Sequence, residues 1–204
     1  MSPCGLRHDV PVPAGRLGAC SIVCIITCCA LRAETQAPII PCNNSAYSNQ
    51  PVLQQLSCGV ASSGVAAAVF GAVERVACNE TEPACPSDGY WLFNSVFVIS
   101  SNGSIVAKYH KAHLFSESVC LDAAPVASTV FALPIGGSTV RIGLLDCYDI
   151  EFNASVNAAL QAGADVLVLP MQWMNTVPVS SAQALVQGAS WYYNTTILAV
   201  GGAL

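Results

Sequence analysis

The sequence predicts an α/β protein in which β-sheets are layered against helices. Apolar segments such as 165–169 (DVLVL) are typical of strands buried on both faces. Such segments alternate along the chain with helix-like segments, an order characteristic of layered α/β folds. A third signal is Ser101-Asn102-Gly103-Ser104 between two apolar runs, because Asn-Gly accepts the positive φ angles of a type I′ hairpin turn.

Prolines and glycines separate the predicted elements in the first half of the chain. Pro38, Pro41 and Pro51 mark a loop-rich region, and Pro83 and Pro86 mark a polar loop. We predict, in order, a loop-rich region at 37–60 with a short helix at 52–62, a buried strand at 65–73, a polar loop at 77–90, and hairpin strands at 95–99 and 105–109.

Glycines and prolines also separate the predicted elements in the second half of the chain. Gly136-Gly137 predicts a turn between two strands, Gly163 ends a helical segment, and Pro170 ends an apolar strand. We predict, in order, strands at 130–133 and 139–145, a helix at 152–162, a strand at 165–169, a helix at 180–192 and a strand at 195–200.

Composition limits the functional classes. Of the 204 residues, 53% are hydrophobic and only 9% are charged, so disorder is excluded as the main state. The net charge is −5 with seven basic residues, which leaves no basic patch for nucleic acid. No apolar run reaches the 18 or so residues that a membrane span needs.

The first 30 residues resemble a secretory signal peptide. Arg7 and Arg16 precede the apolar run 17–30, which ends in small residues, and charge returns at Arg32. The alternative is a buried, cysteine-rich core strand or helix. We expect a signal peptide at 1–30, secretion to the extracellular space, and membrane association only if this segment stays uncleaved.

Sequons and cysteines agree with secretion. Five Asn-x-Ser/Thr acceptors occur, at Asn43, Asn79, Asn102, Asn153 and Asn194. Five of the eleven cysteines lie within the first 30 residues. Of the remainder, Cys78 and Cys85 bracket a short loop and Cys42 and Cys58 close a second, although four cysteines allow three connectivities.

We expect no metal and no cofactor. The sequence has no C-x2-C repeat, and His110 and His113 are the only histidines past residue 8, so the pattern of a zinc site is absent. Cys120 and Cys147 therefore need separate explanations.

The segment 139–149 (TVRIGLLDCYD) carries a candidate nucleophile. An apolar strand leads into Cys147 and a helix is predicted from about Phe152, so the thiol lies at a strand-to-helix turn, exposed at the sheet edge. A helix N-terminus behind it is expected to lower the thiol pKa. The alternative is an inert buried cysteine.

The segment 105–117 (IVAKYHKAHLFSE) carries both lysines of the chain, Lys108 and Lys111. Either could be a solvated charge at a strand end. Lys111, which lies among His110, His113 and Phe115, could instead favour the thiolate and stabilise an oxyanion.

These two segments together resemble the nitrilase (carbon–nitrogen hydrolase) superfamily. YHKAHLF precedes LLDCYD, with Cys147 36 residues past Lys111. PCNN at 41–44, LSC at 56–58, the C-x6-C loop with CPSDG at 85–89 and WMNTVP at 173–178 resemble its biotinidase/vanin branch. The resemblance implies an α-β-β-α sandwich and a Glu–Lys–Cys triad, in which Cys147 is the nucleophile and Lys111 stabilises the oxyanion with the Tyr148 backbone N–H. Trp173 would line the acyl pocket.

The sequence departs from this pattern at the general base. Glu34 is the only glutamate before residue 74, and its surroundings lack the family motif. Glu117 resembles the family's supporting glutamate, at an offset one residue shorter than expected. We therefore expect a partial hydrolase domain at 38–204, a sandwich incomplete at both ends that lacks the first strand and helix.

Two functions follow from the resemblance. The first is a thiol amidase that cleaves linear amides of the biotin-amide or pantetheine type. The second is a catalytically inactive secreted glycoprotein that lacks the base, unless Glu34 or Glu117 supplies it. For the chain as given we expect little activity and marginal stability alone, with a homodimer as one way to cover the exposed sheet.

Overall fold

The computed structural model describes residues 31–32, 39–79, 81–173, 175 and 181–201, which form two β-sheets flanked by helices. The first sheet contains β1 (Leu31–Arg32), β2 (Ala67–Ala77), β3 (Tyr90–Ser100) and β4 (Ile105–His110). The second contains β5 (Val130–Ile135), β6 (Ser138–Leu144), β7 (Val166–Pro170) and β8 (Thr196–Val200). The helices are α1 (Pro51–Ser63), α2 (Asn153–Gln161) and α3 (Ala182–Tyr193).

The first sheet has the strand order β1-β2-β3-β4. β2 and β3 are antiparallel over their whole length, and β1 lies parallel to β2 with Leu31 opposite Glu74. The sequence pattern does not predict β1, because two residues are too few to show a periodicity and only the pairing with β2 reveals this strand.

The β3–β4 hairpin forms where Asn-Gly predicts it, but its turn is not type I′. Type I′ needs positive φ at both central residues, whereas only Gly103 has it, at 83°. The Gly103 N–H donates to the Ser100 carbonyl at 2.8 Å, and Asn102 Oδ1 accepts from the Ser104 N–H at 2.9 Å. The side chain of Asn102 thus stabilises a three-residue loop with glycine in the left-handed position.

The second sheet is mixed. β5 and β6 are antiparallel, and β6, β7 and β8 are parallel, connected through α2 and α3. Gly143 on β6 lets α2 and β7 approach closely, because a Cβ there would lie 3.1 Å from Ala159 Cβ on α2 and 2.9 Å from Leu167 Cδ2 on β7. β6 leads directly to the candidate nucleophile, so this packing also anchors the site.

The two sheets pack face to face, and helices cover their outer faces. Val96, Val98 and Tyr109 of the first sheet meet Phe131, Ile142 and Leu144 of the second. On one outer side α1 packs on β3, and on the other α2 and α3 pack on β7. This is the α-β-β-α sandwich that the resemblance to the carbon–nitrogen hydrolases implies.

Disulfides close the two loops suggested by the cysteine spacing, Cys42–Cys58 and Cys78–Cys85. Loops of this size are typically stabilised by about 3 kcal/mol each, through restriction of the unfolded chain. Cys120 is also disulfide-bonded. Cys147 is the free cysteine within the part of the chain that the structure describes. Among the helices of that part, none has the length and apolarity required to cross a membrane.

Candidate active site

Cys147 lies in a tight turn immediately beyond the second sheet. Cys147 is the first residue of a 3-10 turn, Cys147–Glu151, and it follows the last residue of β6, Leu144, by three positions. Its φ is 47°, in the left-handed region that residues other than glycine rarely adopt. Such strained positions are frequent where a fold presents a reactive side chain. The thiol is half-buried and donates to the Gln172 carbonyl at 3.5 Å.

The pKa of the Cys147 thiol is raised, not lowered as the sequence suggests. Burial is the main cause, the nearby Asp146 adds to it, and the Lys111 ammonium opposes both. The predicted helix dipole does not act here, because α2 begins at Asn153 and helix dipole effects fade beyond the first turn. Thiolate formation at this site therefore depends on Lys111.

Lys111 is a buried cation that follows β4 directly. Its side chain is 2% exposed and forms an ion pair with Glu117, itself 5% exposed. Burial lowers the pKa of Lys111, but Asp146, Cys147 and Glu117 together outweigh it, so the pKa is raised. The ammonium stays charged beside the thiol, where it can favour a thiolate and stabilise an oxyanion.

Glu117 holds Lys111 in place. Beyond the lysine, its carboxylate accepts from the Phe115 backbone N–H at 3.1 Å and from Asn94 Nδ2 at 3.4 Å. Burial raises the pKa of Glu117, but Lys111, the backbone N–H of Glu117 itself and the Asn94 amide together lower it below its ordinary value. Glu117 therefore remains ionised, with its oxygens already engaged. The shorter offset of this glutamate does not prevent it from reaching the lysine.

Asp149 joins the two segments that carry Lys111 and Cys147. It is fully buried, and Tyr109 Oη donates to its Oδ2 at 2.8 Å. The backbone N–H and the Nδ1 of His113 each lie 2.9 Å from its Oδ1. The Asp146 N–H donates to it at 3.3 Å. One carboxylate thus connects β4, the loop after it and the turn that contains Cys147.

Asp146 lies immediately before Cys147 and is 6% exposed. Its Oδ2 is buried without a hydrogen-bond partner in the part of the chain described. Burial raises the pKa of this carboxyl to about 7, Lys111 opposes the shift, and Asp149 and Glu117 add to it. An acid with such a pKa changes charge in the physiological pH range.

Apolar and aromatic side chains surround Cys147 on the side away from the charged groups. Trp173, 4% exposed, belongs to the core cluster against which Cys147 and Tyr148 pack. The ring of Tyr148 meets Phe115 edge-on at 5.2 Å between centroids and Phe152 at 5.1 Å. His113 stacks on Phe152 at 3.7 Å. These contacts fix the turn whose backbone N–H at Tyr148 is the predicted oxyanion donor.

Lys108, the other lysine of the motif, lies elsewhere. Lys108 Nζ and His110 Nε2 each lie 2.7 Å from the buried carboxylate of Glu74 on β2. The structure thus separates the two lysines: one contacts Glu74 on the first sheet, and the other contacts Glu117 beside Cys147. Side chains alternate across a strand, but Lys111 lies just past β4, so only its tertiary contacts place it beside Cys147.

Sequence reasoning missed Asp146, Asp149 and Tyr109. The signal that could have found them is the pair of acids around the thiol in D-C-Y-D, since acids so close to a nucleophile alter its protonation. Glu34 lies outside the described residues. Within the described ranges, no three His, Cys, Asp or Glu side chains are grouped as a metal ion would require.

All five sequon asparagines are exposed: Asn43, Asn79, Asn102, Asn153 and Asn194. The predicted signal segment 1–30 lies outside the described residues.

Comparisons with known proteins agree with this geometry. The family model described as carbon-nitrogen hydrolase matches residues 25–194. A pantetheinase of Bos taurus is 33% identical over 73% of this chain and 29% of its own length, and a biotinidase of Bos taurus is 32% identical over 75% and 29%. The chain therefore spans about three tenths of the length of these curated relatives.

The solved structure of the NitN amidase from Nesterenkonia sp. AN1 has the same fold. It aligns with a TM-score of 0.58 and 20% identity, covering 82% of this chain and 61% of that one. A second structure, of a mutant of that amidase, has a TM-score of 0.57 and 20% identity and shows acrylamide added at its active-site cysteine.

Proposed function

Since the chain belongs to the carbon–nitrogen hydrolase family, we propose that it hydrolyses a linear amide C–N bond with Cys147 as the nucleophile. The observation that carries this proposal is the free thiol of Cys147, presented at positive φ beside the buried Lys111–Glu117 ion pair. The structurally similar amidase also reacts at its active-site cysteine. The comparisons give no support to the alternative of an inactive member of the family.

The reaction follows from the groups present. The Cys147 thiolate attacks the amide carbonyl carbon, a C–S bond forms, and the carbonyl π electrons move to oxygen. The Lys111 ammonium and the Tyr148 backbone N–H stabilise this oxyanion. The C–N bond then breaks, and the amine leaves with the proton that the general base first took from the Cys147 thiol. Water attacks the thioester, which releases the acid and the free thiol.

Glu117 acts in this scheme by positioning Lys111, because its oxygens already bind Lys111, Phe115 and Asn94. The proton acceptor of the family pattern is a glutamate, and Glu34 is the remaining candidate in sequence. A general base of this kind contributes about 10²–10⁴-fold to the rate.

The names of the relatives suggest two substrate classes, biotin amides and pantetheine. Trp173 and the Tyr148 ring offer an apolar wall for the acyl portion, which either class could occupy. We therefore propose a small amide with an apolar acyl group as substrate, and no nucleic-acid partner.

The extracellular location also remains a proposal. Two disulfides in a chain of this size are typical of oxidising compartments, and the exposed sequon asparagines are accessible to glycan transfer. A second copy of the chain is the proposed protein partner, because Trp191 and Tyr192 on α3 are 89% and 75% exposed. Light scattering of the purified chain tests this association.

The decisive experiment is intact-mass measurement after incubation with biocytin and, separately, with pantetheine. We expect an acyl adduct on the native chain and none on Cys147→Ala, with unchanged circular dichroism because the substitution removes little buried surface. Cys147→Ser is the matched variant, and it should trap less acyl group than the native thiol. An adduct that persists in Cys147→Ala would exclude Cys147 as the nucleophile.

A further inference from the structure

The buried carboxyl of Asp146 has no role in the reaction scheme above. It occupies the position before the nucleophile, is 6% exposed, and has an oxygen without a partner among the described residues. A buried polar atom without a hydrogen bond lowers the stability of the folded state, so such an atom calls for an explanation. The other two buried carboxylates nearby, Glu117 and Asp149, are each held by several hydrogen bonds.

The charges that face Asp146 come from each segment packed around it. They are Lys111 from the loop after β4, Glu117 from the following 3-10 turn, Asp149 and Cys147 from its own turn, and the Tyr109 hydroxyl from β4. Lys111 is the single cation in this group. Glu117 is already paired with it, so the ammonium can compensate little further negative charge.

We propose that Asp146 is an electrostatic positioning residue: when neutral, it leaves the Lys111 ammonium to stabilise the Cys147 thiolate, and when ionised, it competes with that thiolate for the same cation. The proton that Asp146 loses goes to solvent, and no other bond changes. This inference rests on the proposed function, since it concerns the reactivity of the same nucleophile.

The consequence has a definite sign. Ionised Asp146 raises the pKa of the Cys147 thiol and also raises the pKa of Lys111. Because the Asp146 carboxyl titrates near 7, its negative charge develops as the pH rises through neutrality, and the pKa of the Cys147 thiol rises with it. Thiolate formation in the native chain is therefore spread over a wider pH range than for a single thiol, as in other coupled titrations.

The test measures thiol reactivity and does not require amide turnover. Native chain and Asp146→Asn are alkylated with iodoacetamide from about pH 5 to 10, a range that spans buried carboxyl and thiol titrations. Alkylation of the peptide that contains Cys147 is followed by mass spectrometry, so that other cysteines do not contribute. Asp165→Asn is the matched control, because Asp165 is an exposed aspartate paired with Arg141.

We expect Asp146→Asn to lower the midpoint of the alkylation profile by about one pH unit, the effect of removing one nearby like charge. Above about pH 7, where Asp146 is ionised in the native chain, and below the midpoint, tenfold more thiolate is offset by about threefold lower nucleophilicity, so alkylation should be about threefold faster. At lower pH, where the side chain at position 146 is neutral in both proteins, the two alkylation rates should be equal. Asp165→Asn should match the native profile, and Asp146→Glu should retain the broad one. A profile of Asp146→Asn that superimposes on the native one, or moves to higher pH, overturns the proposal.

If Asp146→Asn does not fold, the native chain alone decides. A narrow single-step alkylation profile in the native protein would contradict coupling between Asp146 and Cys147, and a broad profile would support it. Failure of the amidase proposal is distinguishable, because it would appear as the absence of acyl adducts while the alkylation profiles remain as expected here.

Discussion

Replacement of Tyr109 by phenylalanine removes one hydroxyl from the carboxylate that joins the two halves of the site. Tyr109 is 2% exposed and its Oη donates to Asp149 at 2.8 Å. Burial and the Asp149 charge both raise the pKa of Tyr109, so the phenol stays a neutral donor at all working pH values. The ring itself remains between the sheets in the variant, and only the contacts of the hydroxyl with Asp149 and Ser155 are lost.

The expected magnitude follows from what Asp149 retains. A hydrogen bond to a buried charged group is worth about 1.5–3 kcal/mol. Asp149 still accepts from two His113 groups and from the Asp146 N–H, so we expect the lower part of that range, about 1.5–2 kcal/mol. For a chain of this size this corresponds to about 3–8 °C in Tm.

Urea unfolding followed by circular dichroism measures this loss. The midpoint should fall while the m-value stays constant, because the buried surface is unchanged. Tyr192→Phe is the matched control, since this tyrosine is 75% exposed, and it should change stability by less than about 0.5 kcal/mol. Equal stability of the native chain and Tyr109→Phe would refute the assignment of Asp149 as the connection between β4 and the turn of Cys147.

Three further predictions concern packing, pH and modification. Gly143→Ala should lower the free energy of unfolding by about 1–3 kcal/mol in the same urea assay, because its Cβ would lie 2.9 Å from two side-chain atoms. Gly188→Ala on α3 is the control: its Cβ would have no atom within 4 Å, so this variant should raise the free energy of unfolding by about 0.5–1 kcal/mol. Burial raises the pKa of Glu74, but His110 and Lys108 outweigh burial and hold this pKa below 4.5, so ionised Glu74 stabilises the fold above that pH and this stabilisation is lost as the pH falls through the lowered pKa. Acid unfolding of Glu74→Gln should therefore depend less on pH in this acidic range, and a pH dependence identical to that of the native chain would count against the role of Glu74. Expression in a eukaryotic secretory host should give a chain whose gel mobility increases on N-glycosidase treatment, with a smaller increase for Asn79→Gln; no change in the native chain would contradict glycosylation.

Local pattern was sufficient for much of the architecture. The apolar runs and their glycine and proline boundaries predicted the order of strands and helices, with ends that differ from those observed by a few residues at most sites. The same pattern placed Cys147 after an apolar strand, and the spacing of cysteines suggested the two observed disulfides. These features depend on interactions between neighbouring residues, which the sequence displays directly.

Tertiary structure alone decided the protonation chemistry of the site. Tyr109 and Asp149 are 40 residues apart in sequence, yet their hydrogen bond joins β4 to the turn of Cys147. The sequence suggested a lowered thiol pKa, whereas burial of Cys147 and the proximity of Asp146 raise it. Burial and pairing of charges arise only when the two sheets pack, because desolvation depends on every atom that surrounds a group and not on its neighbours along the chain.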